Sequence, residues 1–192
     1  AEPILARAAA LHSLGLDLPL TTLAENFYSH QHEIGYIQAG ALVDYMVRVW
    51  GWDQFIAFYH GIRPGSGGSE VIAINSALRA GLGISLAELD DRFTTFLLAQ
   101  PIIPDMIEDT RLTVAYFDSI RAYQRQYDPS SHFEEAWLPD AKQMRQRGIV
   151  ADYVRWPNLQ VNMDIEALLA AAGQHWRAGR FAQAWDILDQ LP

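Results

Sequence analysis

The stretch Tyr36-Ile37-Gln38-Ala39-Gly40-Ala41-Leu42-Val43-Asp44-Tyr45-Met46-Val47-Arg48-Val49-Trp50-Gly51 decides the fold. Ile37, Ala41, Leu42, Tyr45, Met46 and Val49 recur at spacings of four, one, three, one and three, which is one apolar stripe on an α-helix. Gly51 then supplies the stop. No alternating strand pattern of useful length occurs anywhere in the chain, so the class is all-α.

The flanking segments follow the same grammar. On the N-terminal side, Ile4 to Leu14 is an alanine-rich run of high helix propensity that ends near Gly15. Thr22-Leu23-Ala24-Glu25 fits a capping box and predicts a short helix from Leu23 toward Tyr28. On the C-terminal side come a short helix over Asp53 to Tyr59 and a glycine-rich loop from Gly61 to Ser69. Glu70 to Arg79 is helical, with Val71, Ile74, Ala77 and Leu78 on one face. Ser85-Leu86-Ala87-Glu88 is a second capping box, opening a helix that runs to about Gln100.

Pro101 and Pro104 end that helix and mark the expected domain boundary, giving an irregular multi-helix subdomain over 1–100 and a helical extension over 105–192. The extension reads as a long helix from Glu108 to Tyr127, with Leu112, Ala115, Tyr116, Ser119, Ile120 and Tyr123 at helical spacing. A break follows at Asp128-Pro129-Ser130-Ser131, and then a mixed stretch from Trp137 to Trp156. It closes with a helix-turn-helix hairpin over 164–192, turning at Ala178-Gly179.

Composition excludes several classes of function. The 192 residues carry 23 acidic against 14 basic side chains and a net charge of -9, which leaves no basic stripe for nucleic acid or an anionic membrane surface. Charged residues interrupt every apolar run before the ~18–20 residues a membrane span requires. With no cysteine, disulfides, thiolate metal sites and cysteine nucleophiles are all out of reach. The chain begins at Ala1-Glu2-Pro3 with neither an initiating Met nor a signal-peptide pattern, so it reads as a piece of a longer protein.

Few residues converge on chemistry. His30-Gln31-His32-Glu33 is the densest ligand cluster, with Glu25 and Tyr36 on either side. A site built on His30, His32 and Glu33 is the one metal reading internal to the chain, set against a polar, solvated turn between helices. His-Glu-x-x-His is absent. The Gly65 to Ser69 loop lacks the Lys and hydroxyl residue of a phosphate cradle, Lys142 sits on a solvated face, and Ser130, Ser131 and His132 lie outside any nucleophile elbow. The aromatic residues read first as core, and Tyr116, Tyr123, Tyr127 and Trp137 as a buried seam before a groove.

Larger blocks carry a resemblance. Leu23-Ala24-Glu25-Asn26-Phe27, Tyr36 through Met46, Trp50-Gly51-Trp52-Asp53-Gln54-Phe55 and Ala77 through Leu89 resemble the C-terminal half of a peptidase MA-like, or gluzincin, zinc metallopeptidase domain. The match spans somewhat under half the chain. In that family the His-Glu-x-x-His helix and the glutamate ligand precede the matched part. The resemblance therefore implies zinc only in an upstream part of the same protein, with none held by this chain.

It also implies a role for Tyr36. A tyrosine in a Tyr-x-Lys-Gly segment of the family donates a hydrogen bond to the oxyanion of the tetrahedral intermediate. Here Tyr36 is followed by Gln38 and Ala39 in place of Lys and Gly. For the intact protein the family implies export or membrane association, although no pattern in the chain carries an address.

The segment His175 to Ala184, followed by Leu188, Leu191 and Pro192, resembles one tetratricopeptide repeat. It implies either packing on the preceding helices or the first unit of an array. Two functions are thus expected: a non-catalytic portion completing the substrate cleft of a longer zinc-peptidase-like chain, or a helical scaffold whose terminal repeat docks a peptide or protein partner.

Overall fold

The computed structural model describes residues 4–27, 30, 32–63, 68–127 and 160–191. Among the described residues there are nine helices and no strand, as an all-α chain requires. They are α1 (Ile4–Ser13), α2 (Leu20–Asn26), α3 (His32–Trp50), α4 (Trp52–Gly61), α5 (Glu70–Leu82), α6 (Leu86–Leu98), α7 (Pro104–Tyr127), α8 (Gln160–Arg177) and α9 (Phe181–Leu188). The centre of the glycine-rich loop lies outside the described residues, as do the Asp128–Ser131 break, His132, Lys142 and the Trp137–Trp156 stretch.

Two compact units divide the chain, Ala1–Ile107 and Glu108–Pro192, and the division falls within α7. Pro104 is the first residue of α7. A proline there gives up an N–H that would have no helical partner, so the residue that bars a helix from continuing also starts the next one. No single helix among the described residues is long and apolar enough to cross a membrane.

In the first unit α1 packs on α3 and α6, α4 on α3 and α5, and α2 on α5 and α6. α3 buries Gly35, Ile37, Gln38, Ala41, Tyr45 and Met46 along one side. The Tyr45 ring lies 5.6 Å from that of Phe93 and 4.8 Å from that of Phe96, which ties α3 to α6. Val49, expected on the same stripe, is exposed in the last turn. Gly51 stops the helix with φ of 82°, a left-handed backbone that a side chain would strain.

One buried polar residue organises the α1–α2 connection. Gln38 is 2% exposed; its amide donates to the Leu18 carbonyl at 2.7 Å, and its Oε1 accepts from the Leu18 N–H at 2.8 Å. A loop backbone laid against a helix must have its polar groups met, and this side chain meets both at once. His12 and Asp17 close the same loop from α1, their side chains 2.8 Å apart.

From α6, Asp90 accepts the N–H of Leu20 at 3.2 Å. That contact replaces the capping box expected at Thr22. α2 begins at Leu20 after Pro19 with no side-chain cap of its own, so Thr22 lies inside the helix. The second box forms as read: Ser85 Oγ accepts from the Glu88 N–H and the Glu88 carboxylate accepts from the Ser85 N–H. Asn75 of α5 also accepts the N–H of Leu86 at 2.8 Å.

The second unit is built on α7. Leu112, Tyr116, Phe117 and Ile120 meet Ile165, Leu169 and Ala172 of α8 and Ala184 and Leu188 of α9 in one core. Trp176, Phe181 and Trp185 pack half-buried against it. The indole of Trp176 donates to Asp109 at 2.8 Å and that of Trp185 to Glu108 at 2.8 Å. Gly179, with φ of 69°, turns α8 into α9. Burial pushes the Tyr116 phenol up to about 12, although the Arg177 guanidinium beside it pulls the other way.

Three substitutions test this packing. Gln38→Leu strands both Leu18 backbone groups and should lower unfolding stability, read from urea midpoints, by about 2–4 kcal/mol. Asp90 behaves in the opposite sense to a typical ion-paired carboxylate. Burial raises its pKa above the ordinary aspartate value, with the Leu20 hydrogen bond lowering it and Asp91 and Asp17 raising it further. Its ionisation therefore costs stability as pH rises through the raised folded value. Asp90→Asn should stabilise the first unit at neutral pH, and the gain should vanish in acid below the ordinary value of about 3.9.

At Gly173 an added Cβ would sit 2.8 Å from the Tyr116 hydroxyl and 3.2 Å from Arg177 Nη1. Helix propensity alone favours Ala over Gly by about 1 kcal/mol. Against a ring held by Phe117 and Trp176, the clash should win. Gly173→Ala should destabilise the second unit by about 1–3 kcal/mol, and adding Tyr116→Phe should restore most of that loss by removing the hydroxyl.

Candidate functional site

The site drawn from the sequence lies where α2 ends and α3 begins. α3 opens at His32, one turn before Tyr36, so His32 and Glu33 belong to its first turn and not to a loop. A carboxylate there faces the positive end of the helix dipole, which gives Glu33 a local reason to be where it is. His30 Nδ1 is 3.0 Å from the Asn26 carbonyl. The side chain of His32 lies outside the described residues. Among the described residues no group of three His, Asp or Glu side chains is placed to hold a metal ion.

Tyr36 stands on the opposite side of α3 from the core and is 58% exposed. Phe27 meets its ring edge-on, with centroids 5.2 Å apart and planes at 83°. Gly35 makes room for that contact, since an added Cβ would lie 3.0 Å from Phe27 Cε2. Nearby, Ser69 donates to Glu25 at 3.3 Å and links the start of α5 to α2. Tyr36 thus presents a phenol whose ring is met by Phe27 on one edge.

Of the two positions after it that depart from Tyr-x-Lys-Gly, Gln38 points inward as the Leu18 clamp, a place where a lysine would bury its charge. At Gly40 an added Cβ would lie 3.3 Å from Ile4 Cγ1. Close approach of α1 to α3 accounts for it.

No protein-family model, no curated protein and no solved structure matches this chain. The site must therefore be judged on its own geometry.

Two further features escaped the sequence reading. Tyr36, Val43 and Val47 recur at spacings of seven and four along α3, on the side facing away from its core contacts. Tyr36 and Val43 are exposed and Val47 is half-buried. Most of the α3 circumference is therefore apolar, although only one side is covered. The signal was present in the sequence as an excess of apolar residues over what one stripe can use.

α4 repeats the feature: Trp52 and Tyr59, read as core, are 58% and 60% exposed. Phe55 is the buried member between them, its ring 5.8 Å from Trp52 and 6.2 Å from Tyr59. On another side of α4 a groove of about 390 Å³ runs along α5, floored by Phe58 and lined by Ala57, Gly61, Ser76 and Ala80, with Arg63 at one end. The Arg63 guanidinium donates to the carbonyls of His60 and Ile62, so its hydrogen bonds serve the end of α4.

The Gly35 contact is testable. Gly35→Leu raises helix propensity, yet it should drive Phe27 off the Tyr36 ring and lower the unfolding midpoint by an amount equivalent to about 1–3 kcal/mol. A rise in midpoint would show that Phe27 yields without cost, and that Tyr36 is not held by it.

Proposed function

We propose that the first unit is the non-catalytic helical part of a longer zinc-peptidase-like domain, in which it completes the substrate cleft. The observation that supports this reading is the uncovered apolar stripe of α3 led by Tyr36. A helix apolar around most of its circumference is normally covered on more than one side. An exposed run of such residues marks a contact surface. In this reading the upstream part of the same protein lies against that stripe, and Tyr36 comes to face the reacting group.

The described residues of this chain do not fit zinc, since no three ligands converge. Metal and the water-activating carboxylate belong to the upstream part in this proposal. What the chain contributes is position and one hydrogen bond. The Tyr36 phenol, oriented by Phe27, donates to negative charge developing on a carbonyl oxygen. The inward turn of Gln38 means that the second polar residue of the family segment has no counterpart at the cleft, so Tyr36 acts without it.

A second reading, a helical scaffold or protein-interaction module, is favoured by Trp52 and Tyr59, which present two aromatic side chains to solvent from one helix. The terminal hairpin does not strengthen it. Its apolar face is already occupied by α7, and its two indoles are bonded to Glu108 and Asp109. These contacts favour packing of the hairpin on α7 over the first repeat of an open array.

The decisive experiment compares this chain with one extended upstream by the residues that precede Ala1 in the gene. The extended protein should carry stoichiometric zinc by elemental analysis and cleave a peptide reporter in a chelator-sensitive way, while the chain alone does neither. In the extended protein Tyr36→Phe should lower kcat by about 10²–10³ with KM little changed, the loss expected for one oxyanion donor. An extended protein without zinc would overturn the peptidase reading and leave the interaction module. Zinc and activity with no effect of Tyr36→Phe would overturn only the role of Tyr36.

A further inference from the structure

We draw no further inference here: the strongest candidate, the exposed aromatic stripe of α4 formed by Trp52 and Tyr59 beside Val49 at the end of α3, is an unpartnered helix face, and nothing in the structure shows what covers it.

Discussion

The two hydrogen bonds between the Gln38 amide and the backbone of Leu18 are the constraint on which the first unit turns. α1 and α3 must lie close for their alanine- and glycine-rich faces to meet, which forces the α1–α2 connection down against the core. A connection in that place cannot rely on water for its polar groups. A single primary amide, presenting a donor and an acceptor side by side, replaces the water for both backbone groups of Leu18. His12–Asp17 and Asp90–Leu20 then fix the two ends of the same connection from α1 and α6. Three helices thereby agree on the position of the connection between Ser13 and Leu20.

A similar solution recurs at two helix starts and at two buried rings. Helix starts leave N–H groups unmet, and two of them are met here from another helix. Asp90 serves α2 and Asn75 serves α6, the latter beside a complete local box. In the second unit the carboxylates of Glu108 and Asp109 meet the indole N–H groups of Trp185 and Trp176. Large aromatic rings can then be packed without leaving their polar edge stranded. The cost appears at Gly173, where the fit of Tyr116 against α8 leaves no room for a side chain.

Function enters through what this packing leaves over. A domain that covers every apolar face has no surface to explain; this one leaves Tyr36 and Val43 exposed on α3. Gln38 on the same helix serves as the clamp of Leu18, and Gly40 lets Ile4 approach. The first unit therefore offers an oriented phenol and an apolar bed, with the reacting chemistry supplied from elsewhere in the proposed whole.

Periodicity alone was enough for the helical class, the α3 stripe with its Gly51 stop, the Ser85–Glu88 box and the Gly179 turn. Each of these depends on residues within one or two turns of one another, so the chain carries the information locally. In one place where the local signal pointed wrongly, a distant group had intervened. The Thr22 box yielded to Asp90, seventy residues on. The loop expected at His32-Glu33 became a first helical turn, with Glu33 at the end of the helix that favours negative charge.

Trp52 and Tyr59 read as core because hydrophobicity says only that a residue gains by burial, not that a neighbour exists to bury it. The sequence by itself determined which segments are helices and which sides of them seek cover. Only the tertiary structure decided which sides obtain it, because that depends on how the helices of the first unit share a limited contact area.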